Sequence, residues 1–148
     1  MIEQWKKWIA AFDAATESDD WESLRPLLSK DVTYTVSGAP FSCHLEGSDA
    51  VLSGFKKSIT NFDRKFDQRW WFPVGIREFE PNVVKARAMG VYRLGELPLL
   101  HFSAPSIWRF QDGQISSMQD CYDVAEGDVQ DALGWLAKHA PELDPSYY

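Results

Sequence analysis

Long apolar runs are absent from this sequence: no stretch approaches the roughly 20 residues that a membrane-spanning helix requires. Lysines stand at Lys6 and Lys7, but the apolar stretch after them stops at Asp13, so a signal peptide is not expected. Cysteine is scarce. Cys43 and Cys121 lie far apart without CxxC spacing, which fits reduced thiols in a cytoplasmic protein and offers no disulfide framework. Basic charge is in deficit, with 15 Lys and Arg against 22 Asp and Glu and a formal charge of −7. That balance argues against a nucleic-acid partner, because counterion release needs clustered lysine and arginine. His44, His101 and His139 share no HxH or HExxH spacing, so no metal is expected. The glycine-rich nucleotide loops and the GxSxG elbow are missing as well, so no cofactor is expected.

What is plentiful is aromatic: 7 Trp, 9 Phe and 5 Tyr in 148 residues. Rings in such number either fill a core or line an apolar pocket, and that choice is the functional question. The length fits a single domain over 1–148.

Ile2, Trp5, Ile9 and Phe12 recur at spacings of three and four, which predicts an amphipathic helix over 2–16. Asp19 with Glu22 resembles a capping box for a second helix over 18–29, with Pro26 shortening or kinking it. Residues 31–36 alternate and are β-branched, a strand ending at Ser37-Gly38-Ala39-Pro40. A short strand follows over 43–45, then a helix over 48–62 with Val51, Leu52, Phe55, Ile59 and Phe62 on one face. Four strands come next, over 66–79, 83–94, 99–110 and 114–124, and Asp112-Gly113 is the strongest hairpin signal among their turns. Pro73 and Pro105 suggest bulges or edge positions. A last helix around 129–137 stops before Pro141. The order α-α-β-β-α-β-β-β-β-α predicts an α+β fold, a cone-shaped curved antiparallel sheet wrapped around the N-terminal helices. An apolar interior of that kind is a ligand cavity. Large side chains on the outward face of the long strands, Phe79 and Tyr92 among them, suggest sheet-to-sheet pairing in a homodimer.

Chemistry concentrates in the last hairpin. Strand parity puts Met118, Asp120 and Tyr122 on one face, and Phe102, Ala104, Ser106 and Trp108 on one face of the strand before it. His101 then faces away with Ser103 and Arg109. Asp120 among apolar groups would have its pKa raised toward general acid/base work; at a strand end it would simply cap or pair with an arginine. The run Asp63 to Phe72 interleaves basic and aromatic residues, but its two aspartates favour a solvated edge over nucleic-acid stacking. Arg69 within it could point inward.

The runs Asp112-Gly113-x-Ile115 and Asp120-x-Tyr122-Asp123 resemble the final hairpin of the nuclear-transport-factor-2-like, or SnoaL-like, superfamily. Asp20-Trp21-Glu22-x-Leu24-x-x-Leu27-Leu28-x-x-Asp31-Val32 and Glu46-Gly47-x-Asp49-Ala50-Val51 extend the likeness over most of the chain. The superfamily holds polyketide cyclases, ketosteroid isomerases, scytalone dehydratases and limonene-epoxide hydrolases. The resemblance implies a cone with a cavity between sheet and helices, often in a dimer. Limonene-epoxide hydrolases activate water with a tyrosine, an asparagine and an aspartate, and protonate the epoxide from a second aspartate linked through an arginine. By that likeness Tyr34 matches the tyrosine, Asp120 the water-activating aspartate and Arg87 the arginine. Val36 and Met89 stand where the asparagine and second aspartate belong, so the hydrolase set is not intact. The histidines of scytalone dehydratases are loosely matched by His44 and His101.

The resulting expectation is a cofactor-free acid/base enzyme, an isomerase, cyclase, dehydratase or hydrolase, acting on a mid-sized apolar or aromatic molecule. Asp120, Tyr34 and Arg87 are the expected catalytic core, with Tyr34 as an oxyanion donor. His44, Trp108, Tyr122, Met118, Met89, Phe102, Trp71 and Arg69 are the expected lining. A non-catalytic carrier, or a dimerisation module whose cavity its own aromatics fill, remain open alternatives.

Overall fold

The computed structural model describes all residues, 1–148. Helix α1 (Ile2–Ser18) buries Trp5 and Trp8 and ends at Asp19, whose φ of 65° reverses the chain. Asp20, not Asp19, caps the next element, accepting from the Ser23 amide at 3.3 Å. That element is a 3₁₀ helix over Trp21–Leu27 rather than the α-helix expected over 18–29. Pro26 accounts for the difference, since it lacks an N–H and its ring clashes with the preceding turn. The chain passes at once into β1 (Leu28–Ser37), which starts three residues earlier than expected.

Strand β2 (Cys43–Glu46) leads to α2 (Ser48–Asn61), and then come β3 (Gln68–Glu80), β4 (Val83–Arg93), β5 (Leu100–Gln111), β6 (Gln114–Cys121) and α3 (Gly127–His139). The six strands form one sheet in the order β2-β1-β6-β5-β4-β3. All pairings are antiparallel except β1 with β6, which run parallel. Asp112 and Gly113 both have positive φ, 51° and 81°, the geometry that matches a two-residue turn to the twist of its strands. Gly75, at φ 75°, marks a register shift in β3 where the edge strand bends.

Pro105 leaves the β4–β5 register unbroken from Val83↔Arg109 to Tyr92↔Leu100. It lies just beyond the last β5–β6 pair, Ser106↔Asp120, where the missing N–H costs no ladder bond. Helix α3 covers this open half of β5: the Asp128 carboxylate accepts from the Ser103 amide at 2.9 Å and from its hydroxyl at 2.8 Å. The unbroken register keeps the expected parity, with Phe102, Ala104, Ser106 and Trp108 inward and His101 exposed on the other face. Tyr92, expected to face outward, is only 1% exposed; it packs inside the cone against Phe102, ring centroids 5.7 Å apart. The concave face of the sheet, α1 and α2 share one hydrophobic core. No helix is long and apolar enough to cross a membrane.

Candidate functional site

Between α1, α2 and the concave sheet lies a cavity of about 170 Å³, lined by 27 residues of which 19 are hydrophobic. Its aromatic wall includes Trp5, Trp8, Phe41, Phe55, Phe102 and Trp108, whose rings meet edge-to-face (Trp5–Trp108), tilted (Trp8–Phe55) or stacked (Phe41–Phe102). Asp120, Asp63, Asp13 and Arg69 are the charged side chains of the lining.

Asp120 projects from β6 into this wall between Met118 and Tyr122. The Tyr34 hydroxyl, two strand positions before Val36 on neighbouring β1, donates to Asp120 Oδ2 at 2.7 Å. Ser106 stands directly across on β5, near enough for its hydroxyl to favour the ionised carboxyl as well. Burial pushes the Asp120 carboxyl above the ordinary carboxylate range, and the two hydroxyls pull it partly back. No cation contributes. Tyr34 itself is held neutral, because burial and the neighbouring Asp120 charge raise its phenol well above the usual value. Its single proton is committed to an ionised Asp120, so Tyr147, 3.2 Å away, is the donor of the second hydrogen bond. Tyr147 arrives from the segment after α3, which crosses α2 and is pinned there by Lys57 Nζ to Ser146 at 2.7 Å and Ser58 Oγ to the Pro145 carbonyl at 3.2 Å. Cys43, on β2, is pushed by burial to a pKa of about 11 and stays a thiol, not a nucleophile.

A second polar cluster lies where α2 hands over to β3. Asp63, only 8% exposed, accepts from the Tyr92 hydroxyl at 3.2 Å and from Arg69 Nη1 at 3.4 Å. Burial raises its carboxyl, opposed chiefly by the Arg69 charge and then by the Tyr92 hydrogen bond. Arg69 Nη2 also reaches toward Asp13 of α1 at 3.7 Å, across the gap between α1 and β3. Trp71 and Phe72 beside it are more than a third exposed, so this cluster stands at the side where the cavity opens.

No family model matches the chain, and no curated protein matches it. Solved structures do, over most of its length. A LEH-like epoxide hydrolase from M. tuberculosis superposes with a TM-score of 0.59 at 17% identity, covering 89% of this chain and 93% of its own. An NTF2-like protein of unknown function from Exiguobacterium gives 0.62 at 16% identity, covering 81% and 98%. TerC, co-crystallised with polyporic acid, gives 0.60 at 14% identity, covering 80% and 91%. The chain has the nuclear-transport-factor-2-like fold. The resemblance read from the hairpin and helix motifs is therefore a true guide to architecture.

Within this nuclear-transport-factor-2-like cone the expected residues divide cleanly. Asp120, Tyr34, Met118, Tyr122, Phe102, Trp108, Trp71 and Arg69 all line the cavity. Arg87 does not. The inward residues of β4 are Ala86, Ala88 and Tyr92, and Arg87 alternates to the outer face, donating to Glu126 at 2.9 and 3.0 Å and to Ser103 at 2.6 Å. Met89 shares that outer parity and lies outside the lining. His44 is exposed on β2, hydrogen-bonded to Thr35 and Glu46, and does not reach the cavity. Sequence reasoning missed Asp63, whose only signal is a carboxylate set between Phe62 and Phe66, and Tyr147, for which the sequence holds no signal.

Proposed function

We propose that the cavity is the active site of a cofactor-free acid/base enzyme acting on a small, largely apolar, one-ring molecule. The observation that carries this reading is Asp120: a half-buried carboxyl set in an apolar wall, hydrogen-bonded by the Tyr34 hydroxyl and met by no cation. Burying a carboxylate without a counter-charge is costly, and functional sites are where such groups concentrate. A carrier of hydrophobic ligands has no use for that cost. The volume argues for size, since about 150 Å³ of apolar cavity accommodates benzene, so the space within the wall takes about one ring. Trp5 Nε1, in a residue of the wall, meets no acceptor of the protein, which favours a ligand bearing oxygen. A fold neighbour that is an epoxide hydrolase, and another co-crystallised with polyporic acid, support a small-molecule role for the cone.

In this reading Asp120 takes a proton as carboxylate, from a carbon next to a carbonyl or from an attacking water, and returns it as the acid. Tyr34 acts as a positioning residue. Its O–H already donates to Asp120, so it holds the carboxylate in place rather than serving as the oxyanion donor that the sequence suggested. The test is a panel of one-ring ketones, epoxides and lactones, assayed for binding and turnover by the wild type and Asp120→Asn. A general base is worth about 10²–10⁴-fold in rate, so Asp120→Asn should lose that much with affinity roughly unchanged. Tight binding with no turnover by either protein would make this a carrier.

The outer face of β3 supports the homodimer reading. Trp70, Val74 and Phe79 are 38%, 48% and 51% exposed. An apolar stripe of that extent on a long edge strand is what a second copy would cover.

A further inference from the structure

Arg69 is under-partnered for its position. Its side chain is only 16% exposed, yet its one hydrogen bond is to Asp63 at a long 3.4 Å, and its approach to Asp13 is 3.7 Å. Two other arginines of the chain show what satisfied forks look like here: Arg87 makes three bonds of 2.6, 2.9 and 3.0 Å, and Arg25 makes four of 2.6 to 3.1 Å. A guanidinium carries five N–H donors in a fixed fork, and those of Arg69 that the carboxylates leave free are open to water beside the Trp71 ring, 6.0 Å away. Arg69 lines the cavity, so a ligand that enters displaces that water and gains by offering an acceptor in its place.

The neighbours define its chemistry. Asp63 and Asp13 already place two carboxylates around one guanidinium, so a third negative charge from the ligand is disfavoured. Asp63 keeps acceptor capacity beyond the Tyr92 and Arg69 contacts. A group that accepts from Arg69 and donates to Asp63 at once is a hydroxyl. Along β5 the partner of Tyr92 is Leu100 and the partner of Asp120 is Ser106, so the two clusters sit toward different ends of the wall. We propose that the ligand is an uncharged alcohol or phenol whose hydroxyl bridges Arg69 and Asp63, at the opposite end of the molecule from the group that Asp120 works on. This deepens the reading of the cavity as an acid/base site and rests on it.

The test measures binding by calorimetry with three probes: 4-methylcyclohexanone, 4-(hydroxymethyl)cyclohexanone and 4-oxocyclohexanecarboxylate. The full-length wild type should bind the hydroxymethyl compound at least 10-fold more tightly than the methyl compound, and the carboxylate more weakly than either. The hydroxyl's gain should vanish in Arg69→Gln and Asp63→Asn and persist in Asp120→Asn. Should Asp63→Asn not fold, Arg69→Gln with the charge-retaining Arg69→Lys decides alone, Lys keeping at most part of the gain. A hydroxyl that adds nothing in the wild type, a gain that survives Arg69→Gln, a carboxylate that binds best, or no binding of any probe overturns the proposal. If the hydroxyl's gain is found but Asp120→Asn turns substrates over unchanged, the acid/base reading fails and this recognition stands.

Discussion

Asp120, when ionised, rests on the Tyr34 hydroxyl in an apolar wall, and the consequence is a dependence on pH that can be read without any ligand. Burial raises its folded-state pKa above the ordinary 3.8, so the folded chain holds this proton more tightly than the unfolded chain. The stability it contributes is complete below the unfolded value and is lost as pH rises through the raised folded value. Asp120→Asn removes that loss. Relative to wild type, the variant's melting temperature should therefore climb as pH rises above the ordinary 3.8, with Asp63, shifted in the same direction, present in both proteins and cancelling. A variant that instead loses ground as pH rises would mean that the ionised Asp120 stabilises the fold. Tyr34→Phe removes the 2.7 Å hydrogen bond on the carboxyl. A hydrogen bond to a charged group contributes about 1.5–3 kcal/mol, so turnover should fall roughly 10- to 100-fold, and the acid limb of the pH–rate profile should move upward because the ionised form has lost a donor.

At the level of elements, Arg87 and Tyr147 show what the sequence made legible and what it did not. The strand periods, the Asp112-Gly113 turn and the inward parity of β5 and β6 are local, and they were readable. Arg87 was assigned by likeness to a family site, although β4 itself held the contrary signal: Lys85, Arg87 and Met89 alternate with the small Ala86, Ala88 and Gly90, and the small set faces the cone. Arg87→Ala should leave ligand binding and turnover untouched. It should lower the melting temperature only slightly, because a pair this solvent-exposed contributes at most about 1 kcal/mol, and its role is to tie the start of α3 to the sheet. Tyr147 was out of reach for a different reason. Its place depends on a segment folding back more than eighty residues along the chain to reach Ser58, and no spacing encodes that closure. Pro26 already marked the second helix as short or kinked, whereas the parallel β1–β6 pairing depends on which strands end up adjacent. Removing residues 141–148 should leave a folded cone that binds its ligand more weakly, since Tyr147 and Pro145 leave the wall.

For the whole molecule, the division of aromatic residues between two surfaces is the organising fact. One set lines the cavity without filling it, and the other, Trp70 and Phe79, lies with Val74 on the outer face of the edge strand, Phe79 meeting Lys85 at 3.6 Å. Sedimentation equilibrium should report twice the 16.9 kDa chain mass, and Trp70→Glu should return a folded monomer; a wild type that stays monomeric at micromolar concentration would contradict the dimer. The proposed function rests on the inner surface and reduces to one proton. Carboxyl-carbon NMR titration of the full chain, with the Asp120 resonance identified by its loss in Asp120→Asn, measures that proton directly. A midpoint above the ordinary 3.8 is the predicted result. A midpoint at or below 3.8 would show a carboxylate stabilised as an ion, and would contradict a buried acid/base group at the heart of this cavity.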